Sequence, residues 1–312
     1  MNLEESRQIL LEFGYSSVSH IASGMEGHVF SVGNDQVAKV WFSKGEAELR
    51  QLQRFYEVVD SLNLPFATPL LTKIRVRNGA TISVERFLSG TPMRDLIRGD
   101  EPEPPEFATN AVISVLAALK NNPVATEISD LPILGVAPSI RSRNSGYAQV
   151  LLEVANSKVD QYGDQLRRSV PDFDVIHAQI AHRVSTRKSS PFHAIHGDIC
   201  PANILLGPDM KVSALIDWGF LSYFGDQLLE ASIACGTYNM YGASYRINDD
   251  YLVEKCERRL GFDRADLLIY RALYAILTSN AYSEDGTDGH YEWCVGMLNR
   301  DDIRDAIAMS DS

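Results

Sequence analysis

The chain has 312 residues, 45% of them hydrophobic, which is enough for one large domain or two lobes that each bury a core. Its formal net charge of -12 argues against nucleic-acid binding, because neutralising phosphates needs clustered lysine and arginine. No apolar run has the length of a membrane span, and "MNLEESRQILLEFG" is acidic and amphipathic, unlike a signal peptide, so a cytoplasmic protein with no membrane partner is expected.

Residues 3 to 13 read as a short amphipathic helix. "VSHIASGMEGHVFSVGNDQVAKVWF" then alternates apolar and polar positions around Gly24, Gly27 and the turn "GND", a β-hairpin signature. "KGEAELRQLQRFYEVVDSL" returns to helical spacing, and "LPFATPLLTKIRVRNGATISVERFL" predicts strands joined by a turn at Asn78 and Gly79. From "SGTPMRDLI" the texture becomes helical, with a boundary near Ser89 and Gly90. Phe107 to Leu119 is strongly amphipathic and comes after the proline-rich loop "EPEPPE". Residues 146 to 184 hold further helices, 193 to 221 two short apolar strands with loops, and 226 to 309 mostly helices rich in Tyr and Leu. The expected class is α+β: a small antiparallel-sheet lobe over residues 1–88, then a mainly helical lobe over 89–312.

The chemistry concentrates in "HAIHGDICPANILLG", residues 193 to 207. Three readings compete. His193, His196 and Asp198 offer imidazole and carboxylate ligands for a catalytic zinc, but no helical histidine pair supports them. Cys200 lacks the surroundings of a thiol nucleophile, and Cys200, Cys235, Cys256 and Cys294 form no C-x-x-C pair, so reduced thiols are expected. The third reading joins the loop to the segment on its C-terminal side. Asn203 comes five residues after Asp198, then two apolar runs flank the turn "GPDMK" and end in "DWG" at Asp217 to Gly219. A carboxylate at the loop apex suits an attacking hydroxyl, while Asn203 and Asp217 offer oxygens that hold Mg²⁺ against phosphates. The strand "VAKV" supplies a cation at Lys39, and a carboxylate on the next helix, Glu46 or Glu48, is near enough in sequence to hold it.

On "HGDICPANILL" and "IDWG" the chain resembles the aminoglycoside phosphotransferases, relatives of choline and other small-molecule kinases with a bilobal protein-kinase-like fold. The resemblance implies that Asp198 is the catalytic base and that Asn203 and Asp217 bind magnesium. It pairs Lys39 with Glu46 in the "EAEL" stretch, and it gives the backbone at Glu85 and Phe87 the adenine of ATP or GTP. Through it, Ser23, Gly24 and Gly27 are expected to present loop N-H groups to phosphate. Asp226, in "FGDQLLEAS", is expected to support the catalytic loop, and His196 to serve as a structural hydrogen-bonder. "IDW" with "FGDQLLEA" looks nearest to the hygromycin B phosphotransferase branch.

The family's helical lobe forms the acceptor pocket. The acidic loop "SEDGTDGH" lies in an aromatic stretch of that lobe, so Glu284, Asp285 and Asp288 are candidates for pairing with ammonium groups of a cationic small-molecule acceptor. The implied reaction is nucleotide- and Mg-dependent phosphorylation of a hydroxyl, with an aminoglycoside as the leading acceptor. A metabolic kinase for choline, a sugar or an amino alcohol would carry the same motif. A nucleotide-binding pseudokinase would not need the base, so the intact set of Lys39, Asp198, Asn203 and Asp217 favours an enzyme.

Overall fold

The computed structural model describes all residues except 25, 34, 78, 99–100, 125–130, 188–190 and 309–312. Helix α1 (Leu3–Glu12) begins in a reciprocal cap: the Asn2 side chain accepts from Glu5 N at 2.9 Å, and Glu5 Oε2 accepts from Asn2 N at 2.8 Å. Five strands come next, β1 (Ser19–Ser23), β2 (Gly27–Ser31), β3 (Gln36–Trp41), then β4 (Leu71–Arg77) and β5 (Ala80–Arg86) after helix α2 (Glu46–Ser61). They form one antiparallel sheet in the order β1-β2-β3-β5-β4. The expected turn at Asn78 and Gly79 has its first residue outside the described set.

Strand alternation divides the sheet into two environments. Ala38, Val40, Ile82 and Val84 face one side and pack with Phe30 and Leu10 of α1. The intervening residues, Lys39, Trp41, Ser83 and Glu85, share the other side, with Lys39 opposite Ser83 and Val37 opposite Glu85. Helix α2 sends Leu49, Leu52, Phe55, Tyr56 and Val59 into the larger core that continues through the rest of the chain.

Strand β6 (Thr91–Pro92), which the sequence does not reveal, leads through a 3-10 turn (Met93–Leu96) into α3 (Glu106–Asn121), α4 (Ile140–Ser145), α5 (Tyr147–Ser169) and α6 (Phe173–Ser185). Two strands were expected between 193 and 221. Three are present, β7 (His193–Ile195), β8 (Ile204–Leu206) and β9 (Val212–Leu215), and β10 (Tyr223–Gly225) then pairs with β7. β6 completes a three-stranded sheet on β8 and β9. Such three-residue strands carry too little alternation to be read from periodicity.

Helices α7 (Gln227–Thr237), α8 (Tyr245–Leu260), α9 (Arg264–Thr278), α10 (Gly289–Asn299) and α11 (Asp301–Ala308) close the chain. α9 is buried from Leu267 to Thr278. Inside it, Arg271 donates to Asp249 of α8 at 2.8 Å, and Arg300 at the end of α10 binds the same carboxylate. Burial alone would raise the Asp249 carboxyl, but the two guanidiniums hold it below the usual range. The architecture is α+β, a sheet-rich N-terminal region followed by a helical C-terminal region.

Candidate active site

Strand β7 delivers the loop His196–Asn203, and the β8–β9 hairpin returns the chain to Asp217. Gly197 has φ +82, and a Cβ there would lie 2.2 Å from Leu221 Cβ, so only glycine makes this bend. His196 is fully buried, which depresses its imidazole to about 4 and keeps it neutral. Its Nδ1 accepts from Asp198 N at 3.1 Å, so Nε2 carries the proton and donates to Ile216 O at 2.8 Å. Both ring nitrogens are thereby used, which removes His196 from the zinc reading. The Ser222 hydroxyl donates to His196 O and accepts from Gly219 N, each at 2.8 Å, tying the two motif loops together.

The support of this loop corrects one expectation. Asp226 caps α7, accepting from Leu228 N at 2.9 Å. Glu230, one helical turn later, accepts from the backbone N-H groups of both His196 and Gly197. An Asp before a helix satisfies that helix's own free N-H groups, whereas a position four residues on projects sideways toward the loop. Burial raises the Glu230 carboxyl to about 8 against the pull of those donors. The signal was present, since Glu230 is the last residue of the "GDQLLE" element.

Asn203 Nδ2 donates to Asp198 O at 2.9 Å and to Asp198 Oδ2 at 3.0 Å, which fixes the carboxylate and turns the amide oxygen away from it. Burial, and secondly the charge of Asp217, raise Asp198 to about 6. Asp217 is exposed and holds a left-handed φ of 63°, rare for a non-glycine residue and characteristic of functional sites. Tyr56 of α2 donates to the Trp218 carbonyl at 3.2 Å and thereby anchors this turn. The Asp217 carboxylate and the Asn203 amide oxygen are hard oxygen donors that suit Mg²⁺ rather than a thiophilic metal. Among the described residues, no group of three or more His, Cys, Asp or Glu is placed to hold a metal ion.

On the sheet side, Lys39 meets Glu26 at 3.0 Å, not Glu46, and Lys44 meets the other oxygen of Glu26 at 2.7 Å. Glu46 pairs instead with Arg50 at 2.9 Å, and Glu48 accepts from Gly45 N at 2.9 Å. First-turn carboxylates serve their own helix, by capping and by i,i+4 pairing, and these two are occupied that way. Lys39 Nζ lies 3.8 Å from the centre of the Trp41 ring, whose Nε1 donates to Ser83 Oγ, which donates to Glu85 Oε1. Lys44 also approaches the Asp217 turn, 3.9 Å from where a Cβ of Gly219 would stand. Neither Glu26 nor Lys44 was expected from the sequence, although Glu26 sits inside the quoted glycine loop.

The other nucleotide-side expectations are altered by local bonding. Ser23 Oγ is shared between His20 and His28 at 2.9 and 2.7 Å, and Gly24 N donates to Gly27 O at 3.0 Å. A Cβ on Gly27 would lie 2.2 Å from Val40 O, so glycine here serves strand packing. The expected run of phosphate-facing N-H groups also includes Met25, which lies outside the described residues. Phe87 N, expected to meet adenine, donates to Asp35 O at 2.9 Å.

The region expected to take the acceptor is more aromatic than the sequence suggested. Tyr241 and Tyr282 are 64% and 53% exposed and flank the buried His290, with Tyr282 stacked on Phe220 at 6.3 Å. Tyr241 donates to or accepts from His290 Nδ1 at 2.9 Å, and His290 Nε2 meets Thr278 Oγ1 at 2.9 Å. Burial first, then the charges of both Asp198 and Asp288 among others, raise the two phenols. Asp288 caps α10 through Tyr291 N at 2.8 Å and leaves Oδ2 shielded without a hydrogen-bond partner. Asp285 is bound by Ser283 and Thr287 within its own turn, and Glu284 has an exposed side chain. Of the three candidates, Asp288 is thus the one placed against the aromatic wall.

A model of the phosphotransferase enzyme family (APH) matches residues 17–268. The chain belongs to that family. No curated protein matches its sequence. The fold of this phosphotransferase-family member is similar to the GDP and kanamycin complex of APH(2")-IIia, with a TM-score of 0.62 and 14% identity over 95% of this chain and 98% of that one. It is also similar to the aminoglycoside phosphotransferase APH(3'')-Id from Streptomyces rimosus, with a TM-score of 0.57 and 18% identity over 89% and 99%. The choline kinase LicA from Streptococcus pneumoniae gives a TM-score of 0.57 and 13% identity over 97% and 99%. At these identities the likeness is one of fold.

Proposed function

We propose that the protein transfers a phosphoryl group from ATP or GTP to a hydroxyl of a small molecule, with an aminoglycoside as the leading acceptor class. The observation that carries this reading is Asp198: its carboxylate is held by Asn203, raised to about 6, and close enough to Tyr241 and Tyr282 for its charge to be felt at both phenols. A base so tuned is ionised at neutral pH and lies within electrostatic reach of Asp217 on the one hand and of Tyr241 and Tyr282 on the other. Asp198 takes the proton of the acceptor hydroxyl as its oxygen attacks the terminal phosphorus, and the bond to the bridging oxygen of the leaving nucleotide breaks. Lys39 and Lys44 hold the phosphates in place of Glu26. Asn203 Oδ1 and Asp217 are the residues that would hold Mg²⁺, which when bound supplies positive charge beside the phosphates. Glu230 and His196 keep the loop geometry and have no part in the proton transfer.

The net charge of -12 and the free Asp288 oxygen support a polycationic acceptor such as kanamycin or hygromycin B. A second reading, a metabolic kinase of the choline type, is supported by the exposed Tyr241 and Tyr282, whose faces suit a less hydrated ammonium. Nucleotide turnover with Mg²⁺, across a panel of aminoglycosides, choline and neutral sugars, decides between them. An acceptor-dependent rate absent from Asp198→Asn is the expected result. Failure of every acceptor to stimulate turnover would sink the proposal.

A further inference from the structure

Beside the catalytic loop, at Pro201, a cavity of about 130 Å³ opens between the 3-10 turn carrying Arg94, the approach to α3 carrying Glu101 and Glu103, and Tyr238 and Asn248. Tyr241, Tyr282 and His290 are not among its lining residues, and none of the roles assigned above uses it. Two of its polar atoms are shielded from solvent yet make no hydrogen bond, Tyr238 Oη and Glu101 Oε2. Tyr238 is 7% exposed, so only a molecule that enters the cavity can meet its hydroxyl. Burial, with the Glu101 charge second, raises this phenol, which places the two groups within electrostatic reach of each other. Their neighbours are engaged elsewhere: Asn248 Nδ2 donates to Pro102 O at 2.8 Å, and the exposed Arg94 guanidinium turns to Asp95 at 3.5 Å.

Native proteins leave few buried polar atoms unpaired, and those that face a cavity are met by a water, an ion or a ligand that enters it. An ionised carboxylate only accepts, and a phenol oxygen beside it can accept as well, so the missing partner is a donor. With Glu103 adding a second carboxylate to the lining, the complement is cationic. The volume admits a head group of a few heavy atoms. We propose that this cavity is a binding subsite for an ammonium or guanidinium group, carried either by the acceptor or by a free alkylamine; only the first of these sources rests on the kinase reading above.

Isothermal titration calorimetry without nucleotide tests the site independently of turnover. Kanamycin, spermidine and agmatine are titrated into the wild type, Glu101→Gln and Tyr238→Phe. At least one of these amines should bind the wild type one to one, with Kd about tenfold weaker in Glu101→Gln and severalfold weaker in Tyr238→Phe. Loss confined to kanamycin identifies the acceptor as the source, and loss for spermidine or agmatine identifies a free amine. Tyr238→Phe should keep its Tm, because the hydroxyl it removes bonds nothing in the free protein. Absence of binding by all three amines, or wild-type Kd values in both variants, overturns the proposal, as does a lowered Tm in Tyr238→Phe with unchanged Kd. Because no phosphoryl transfer is involved, a negative acceptor screen would leave this result standing.

Discussion

Replacing Glu26 by glutamine should tighten nucleotide binding. Glu26 occupies the two cations proposed above to hold the nucleotide phosphates, at 3.0 Å from Lys39 and 2.7 Å from Lys44. The three side chains are 40%, 16% and 25% exposed, so solvent screens both pairs and each contributes about 0.5–1 kcal/mol. Releasing both ammonium groups to phosphate therefore costs about 1–2 kcal/mol, which corresponds to ~5- to 30-fold in Kd that Glu26→Gln would recover. Burial works against ionisation of Glu26, but Lys39 and Lys44 prevail and hold its pKa below the usual value. A depressed carboxylate is lost only as pH falls through that lowered value, so the gain should be constant from about pH 6 to about pH 9. Titration of ADP into wild type and variant, monitored by intrinsic tryptophan fluorescence, measures it; the Lys39 ammonium 3.8 Å from the Trp41 ring makes that ring responsive to the site. A Kd weakened tenfold in Glu26→Gln would refute the reasoning, and would make Glu26 the group that orients Lys39 onto the phosphates.

Asp198→Asn should lower kcat by ~10²–10⁴ while the ADP Kd changes little, because the lost carboxylate is the proposed base for the acceptor proton. The logarithm of kcat/KM should fall with unit slope below about pH 6, where Asp198 is protonated. Asp217→Asn removes a negative charge that raises Asp198, so carboxyl NMR should find the Asp198 titration moved downward in that variant. Asp249→Ala strands Arg271 as a buried, uncompensated charge, while Arg300 keeps Asp302 at 2.8 Å, and should cost about 3–5 kcal/mol in urea denaturation. Since the Asp249 pKa is depressed in the folded state, its contribution is present above the ordinary carboxylate range and disappears as pH falls through the lowered value.

The amino-acid sequence alone determined the elements and the spacing of the motif loops. Helix α2, the β3 alternation and "HGDICPAN" are legible because periodicity, turns and the Asn203 to Asp198 bond act over a few residues, where chain connectivity leaves little choice. The strands of two or three residues were not legible, because β6 and β7 exist only through partners far along the chain, β8 and β10. Tertiary structure also chose among chemically equivalent side chains. Glu26, Glu46 and Glu48 are all near Lys39 in sequence, and only the fold of the loop over β3 selects Glu26. Asp226 and Glu230 are both candidates to hold the catalytic loop, and helix phase gives that place to Glu230. Asp285 and Asp288 look alike in "SEDGTDGH", yet one closes its own turn while the other caps a helix beside Tyr282. A charge pairs with the nearest donor in space, and distance in space is set by the packing of the whole chain.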